Sequence, residues 1–125
     1  MKLKNVVPWG RNLQEYQKMF QLSQKDLQSE ILGCGDGPSS FNFEAMQLGG
    51  NITSIDPIYQ FTKDEIQQRI DETSSVVSQQ LKQNQNDFVW KSIESVDKLI
   101  NIRLTAMSNF IKDYDNGKKE GRYIH

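Results

Sequence analysis

The sequence is poor in the residues that most often carry chemistry. Its one histidine is His125, the last residue, so histidine-based nucleophile activation and imidazole metal ligation have almost no material to work with. No metal site is expected. Its one cysteine, Cys34, cannot form a disulfide within the chain, which fits the cytoplasmic localisation expected here. Cys34 sits inside a glycine turn that needs a small side chain, and no histidine neighbours it, so it reads as structural rather than as a catalytic thiol. No apolar run approaches the roughly 18 residues of a membrane helix. Met1 to Pro8 carries charge without a following apolar block, so neither a membrane partner nor a secretory signal is expected. A formal net charge of -1 leaves no basic surplus for neutralising phosphates, which argues against a nucleic-acid partner. The basic cluster Lys118, Lys119 and Arg122 reads as a solvated tail.

What is present is a soluble composition, 36% hydrophobic and 25% charged over 125 residues, enough for one domain with a core. Its most informative run is Ile31-Leu32-Gly33-Cys34-Gly35-Asp36-Gly37-Pro38, followed by Ile52-Thr53-Ser54-Ile55-Asp56. An apolar strand enters a Gly-x-Gly-x-Gly turn, a helix follows, and a second strand ends in a carboxylate. A Rossmann-like fold holds an adenosine-containing ligand with this arrangement. Gly33 suits the sharp exit from the strand, and Gly35 lets the backbone approach a ligand closely. Asp56 lies 19 residues after Gly37, near the roughly 20 expected of an acid that binds ribose hydroxyls.

Around this motif the chain divides into an N-terminal helical cap (residues 1–28), a cofactor-binding βαβ unit (29–61), a helical insertion (62–116) and the start of a third strand (117–125). Leu13, Tyr16, Met19 and Phe20 repeat at helical spacing, and Ser23 with Asp26 reads as a short capping box. Pro38 suits the first turn of the next helix, which packs through Phe41, Ala45, Met46 and Leu48 and ends at Gly49-Gly50. Pro57 to Phe61 reads as a loop. Thr62 with Glu65 caps a long helix with apolar positions Ile66, Ile70, Thr73, Val77 and Leu81. Asn84 to Asp87 interrupts it, and Phe88 and Trp90 read as packing residues. Ser95 caps a last long helix that turns Leu99, Ile100, the Arg103 stem, Leu104, Met107, Phe110, Ile111 and Tyr114 inward. Asn116-Gly117 is expected to stop it. The expected fold class is α/β, with two or three parallel strands. That is too few for a doubly wound sheet, so the fold is expected to be truncated, with an unpaired edge on the first strand. Such an edge favours a complementary chain or a homo-oligomer.

Leu32 to Gly37 with Ile55-Asp56 resembles the ligand-binding motifs of class I S-adenosylmethionine-dependent methyltransferases. Val6 to Arg11, Ile31 to Asn42, Asp56 to Tyr59 and Gly121 to Tyr123 resemble the front half of a bacterial methyltransferase-like family. The resemblance covers nearly all of this chain and about half of such an enzyme. It implies S-adenosylmethionine as cofactor, with Gly33, Gly35 and Gly37 along its methionine and ribose parts, Asp56 on the ribose, and Ile58 or Pro57 on adenine. It names neither a catalytic residue nor the methyl acceptor. One departure is that Ile31 stands where the fold usually has an acid, and Asp36 is the candidate to replace it at the cofactor's amino group. Trp9, Arg11 and Tyr16 are candidates for a lid, although Trp9 and Tyr16 equally suit packing. A dinucleotide-binding oxidoreductase shares the strand–turn–acid logic but wants Gly-x-Gly-x-x-Gly, and here the sixth position is Pro38.

Overall fold

The computed structural model describes residues 10–83 and 93–125, so Trp9, Asn84 to Asp87, Phe88 and Trp90 lie outside the described residues. The chain is α/β, with a small parallel sheet in the order β1-β2-β3. β1 is Glu30–Cys34, β2 is Asn51–Ile55 and β3 is Tyr123–Ile124. The register pairs Ile31 with Ile52, Gly33 with Ser54, and Ser54 with Tyr123. Among the described residues β2 is therefore the middle strand, and β1 is an edge.

Among the described residues five α-helices surround this ribbon: α1 (Leu13–Phe20), α2 (Gln24–Leu27), α3 (Phe41–Gln47), α4 (Lys63–Gln83) and α5 (Ile93–Lys119). Capping boxes start α1 at Asn12, where Glu15 answers, and α2 at Ser23, where Asp26 answers. Thr62 and Glu65 exchange the same pair of bonds before α4. Each box satisfies amides that the first helical turn leaves without partners.

Several boundaries differ from the sequence reading. Pro38 is not in a helix; it is buried in the turn, and α3 starts three residues later, after Ser40. Pro57 to Gln60 is a 3-10 turn rather than a loop, capped by the Asp56 side chain. α5 begins before Ser95, which lies within it. The same helix runs through Asn116-Gly117 to Lys119, and Gly121, at φ 78°, makes the left-handed exit. Gly117 is kept for space instead, because a Cβ there would strike the Tyr123 ring. Leu48 and Leu104 are exposed. Arg103 buries more than its stem, since its guanidinium pairs with Glu15 of α1.

Among the described residues two apolar clusters form the core. Leu27, Phe41, Ala45 and Ile52 pack beneath β1 and β2, with Leu13, Tyr16, Leu22 and Ile31 closing over them. Tyr59, Ile66, Ile70, Met107, Phe110, Ile111, Tyr114 and Tyr123 join α4, α5 and β3. Four aromatic rings meet in this second cluster, with Tyr59 and Tyr123 centroids 5.1 Å apart and Phe110 edge-on to Tyr123.

A buried ion pair ties α5 to β3. Arg122 holds Asp113 through two bonds of 2.7 Å, and the Tyr123 hydroxyl donates to the same carboxylate at 2.6 Å. Removing one partner strands the other charge away from water. Asp113→Ala is expected to cost about 3–5 kcal/mol, while Tyr123→Phe, which removes one hydrogen bond, costs roughly 1 kcal/mol. Urea unfolding monitored by circular dichroism checks both; equal midpoints for the two variants would contradict the ordering.

Candidate functional site

The turn between β1 and α3 is built from glycines with distinct tasks. Gly35 and Gly37 have φ of 76° and 62°, a region costly for residues with a Cβ. The Gly35 amide continues the ladder by donating to the Ile55 carbonyl at 2.8 Å, and a Cβ there would meet nothing within 4 Å. The turn thus leaves open space above Gly35. Gly33 is the opposite case, because a Cβ would run into the Asp36 carboxylate folded over it.

That carboxylate is held from two sides. Tyr16 donates its hydroxyl to Asp36 Oδ1 at 2.9 Å, and Ser54 donates to Oδ2 at 2.6 Å. Ser54 in turn accepts from Asn42 Nδ2 at 3.0 Å, and Asn42 Oδ1 accepts from Arg122 at 2.9 Å. Asp36 therefore turns inward, over the face of the sheet that carries Ile31. Ile31 itself packs against the apolar cluster below.

Asp56 meets the turn from the end of β2. Its Oδ2 accepts from the Gly37 amide at 3.0 Å, and its Oδ1 from the Ile58 amide at 2.9 Å. An ionised carboxylate offers about four acceptor sites, so each oxygen keeps a free lone pair. Tyr59 closes the other side of the turn by donating to the Gly37 carbonyl at 2.8 Å. The Ile58 side chain packs against the aromatic cluster.

A cavity of about 520 Å³ lies between β1 and α1, lined by Arg11, Tyr16, Gly33, Cys34, Gly35 and Asp36, with Met19, Phe20 and Leu32 at its apolar end. Of the lid candidates, Tyr16 is a wall, stacked on Phe41 with centroids 4.4 Å apart. The Arg11 backbone is anchored, because its carbonyl accepts from the Ser40 amide at 3.1 Å, while its side chain is exposed. Gly33, Gly35 and Asp36 thus share one cavity, and Gly37 and Asp56 are bonded to each other beside it. The contributions of Ser54, Tyr59 and Asn42 were missed. The available signal was the alternation in β2, which turns polar Ser54 to the same face as buried Ile52. Among the described residues no His, Cys, Asp or Glu cluster is placed to hold a metal, and no helix is long and apolar enough to cross a membrane.

No family model matches the sequence, and no solved structure matches it. The uncharacterized protein MJ0045 of Methanocaldococcus jannaschii is 35% identical over 126 residues, a match that takes in all of this chain and 56% of that protein. The chain thus spans about half the length of the curated relative it matches.

Burial pushes the Tyr16, Tyr59 and Tyr123 phenols well above their ordinary 10.0, with nearby Asp36 adding to the rise at Tyr16 and Tyr59, and the bond to Asp113 adding at Tyr123. Burial, together with the charges of Asp115 and Glu65, also pushes the Tyr114 phenol up to about 12. Above pH 10 the unfolded chain releases these protons while the folded one retains them. The stability they contribute is thus complete below 10 and falls as pH rises through the folded values. Phenolate absorbance at 295 nm should appear for these rings together with loss of the circular dichroism signal; smooth titration while folded would contradict it.

The seat of Asp36 over Gly33 gives a second prediction. Gly33→Ala forces the carboxylate off Tyr16 and Ser54 and is expected to destabilise by about 1–3 kcal/mol. In an Asp36→Ala background the same substitution should cost less. A double-mutant cycle from urea titrations checks this, and strict additivity would show that the two residues do not share that space.

Proposed function

We propose that this chain is the S-adenosylmethionine-binding part of a class I methyltransferase, in a Rossmann-like methyltransferase fold. The observation that carries the reading is the meeting of the glycine turn with Asp56, joined by the Gly37 amide. A glycine turn alone makes a strand-to-helix corner; a carboxylate at the end of the neighbouring parallel strand is the arrangement with which Rossmann-like folds hold a ribose, and that supports the reading. The residues fit such a ligand: the space above Gly35 is open, and Asp56 keeps acceptor capacity for two hydroxyls. Asp36 and Arg11 line one cavity and offer opposite charges to the ammonium and carboxylate of an amino-acid end. The bound cofactor would supply an activated methyl group for transfer to an acceptor nucleophile.

The protein's part in that chemistry is alignment. Tyr16 and Ser54 fix the Asp36 carboxylate, Tyr59 fixes the Gly37 carbonyl, and Asp56 locks the turn to β2. The dinucleotide reading draws less support, because a pyrophosphate needs free amides where a helix begins. At the start of α3 the Ser40 amide is taken by the Arg11 carbonyl and the Phe41 amide by the Ser39 hydroxyl.

Titration calorimetry with S-adenosylhomocysteine tests the proposal, on this chain alone and on the chain joined to the remaining portion of its relative. Binding is expected in the joined form, with Asp56→Ala weakening it about ten- to a hundredfold, as loss of a charge-assisted bond of roughly 1.5–3 kcal/mol implies. Asp36→Ala should weaken it less. Absence of binding in a folded joined form, or indifference to both substitutions, overturns the reading.

A further inference from the structure

The sheet is finished on one face and bare on the other. Register partners in parallel strands share a face, so Ile31 and Gly33 lie with Ile52, Ser54 and Tyr123 on the face where α3 and α5 pack. Ile52, Ser54 and Tyr123 are buried there. The same register assigns Leu32, Cys34, Thr53, Ile55 and Ile124 to the opposite face. Leu32 is 61% exposed, Ile124 46% and Ile55 36%. Purely parallel sheets are covered on both faces, because the helices that connect their strands pack there. A bare, branched apolar surface on such a sheet is the mark of a missing layer.

The edge tells the same story. Among the described residues β1 pairs only with β2, so no described strand meets its outer row of backbone donors and acceptors. Edges that are meant to stay free carry lysine, proline or bulges. In Glu30-Ile31-Leu32-Gly33-Cys34 the one protective feature is a glutamate at the end. The apolar end of the cavity, with Met19 and Phe20 exposed beside Leu32, runs along this same strand.

We infer that the Leu32–Ile55–Ile124 face and the free edge of β1 form one docking surface for further polypeptide of the kind its relative carries outside the match. The occupant is a strand added to β1 together with an amphipathic helix laid across the bare face. The relative has length for such a unit, since the match covers 56% of it. A second copy of this chain satisfies the two surfaces less well. A two-fold axis would pair β1 with itself antiparallel and leave the bare face wet. A face-to-face dimer would leave the edge unpaired. A strand-plus-helix unit covers both, and it continues the α/β pattern already present.

Cys34 is the single thiol, is exposed, and lies on this face, so it reports occupancy without any cofactor. The test compares its rate of labelling by a disulfide reagent in this chain alone and after addition of the separately expressed remainder of the M. jannaschii relative. Sedimentation gives the stoichiometry. The expected result is a one-to-one complex, at least tenfold slower labelling, and slowed hydrogen exchange along β1. Leu32→Lys and Ile124→Lys, both at exposed positions that tolerate charge in the isolated fold, should abolish the protection. Unchanged labelling in the presence of the added polypeptide overturns the inference. So does protection that grows with the concentration of this chain alone, which would identify a second copy as the occupant, or protection that survives both lysine variants. None of these readouts involves a cofactor, so their failure is separable from failure of the methyltransferase reading.

Discussion

A single chain of hydrogen bonds crosses the molecule, and the rest of the structure is arranged around it. Asp113 on α5 grips Arg122 before β3, Arg122 donates to Asn42 on α3, and Asn42 donates to Ser54 on β2. Ser54 donates to Asp36 in the glycine turn, and Tyr16 on α1 closes the series on the same carboxylate. Its members come from α1, the glycine turn, α3, β2, α5 and the residue before β3. Buried polar groups of this kind are costly unless all are satisfied. The two N–H groups of Asn42 are shared among three acceptors, Ser54 Oγ and the carbonyls of Ile52 and Arg122, at 3.0, 3.2 and 3.1 Å. The network thereby sets how α3, α5 and the three strands sit relative to one another more sharply than apolar packing does, since hydrogen bonds have direction and hydrophobic contacts do not.

The consequence for the candidate site is that Asp36 is aimed from below. Its carboxylate occupies the space that Gly33 leaves empty, so the glycine serves the acid as much as it serves the turn. Asp56 is aimed by a different device, two backbone amides from the segments it joins. Two acids of one motif are thus oriented independently, one through side chains that reach across the fold and one through local backbone. A ligand bridging them would meet carboxylates whose positions are already fixed, which lowers the ordering cost of binding.

The molecule is also lopsided. One side of the sheet is packed by the aromatic cluster around Tyr59, Phe110 and Tyr123 and by the cluster that holds Phe41 and Tyr16, while the other side carries exposed Leu32 and Ile124. The same asymmetry places the cavity beside the free strand rather than within closed walls. A cavity that lies against a strand edge is shaped partly by whatever stands beside that edge, and here its walls are β1 and α1.

Local chemistry was legible in the sequence wherever partners are three or four residues apart. The capping boxes at Ser23–Asp26 and Thr62–Glu65, the α1 face, and the strands on either side of the glycine turn follow from short-range spacing and backbone preference, and they stand where the residues place them. So does the pairing of motif and acid, because a parallel crossover brings the end of β2 beside the end of β1. Boundaries went astray where a distant contact outweighs local preference. Asn116-Gly117 stays helical because Gly117 receives the Tyr123 ring. Pro38 is drawn out of α3 because the turn is packed against Gly10 and Arg11. Strand alternation marks Ser54 as facing inward but not what it bonds, and the roles of Asn42 and Arg122 were not legible at all, since they are 80 residues apart and neither spacing nor composition marks them. The sequence by itself determined the α/β class, the starts of α2 and α4 and the meeting of turn and acid, all set by steric and capping rules that act within one element or one crossover. Only the tertiary structure decided where Asp36 points and which face of the sheet is left bare, because both depend on groups that the chain brings together only after it has folded.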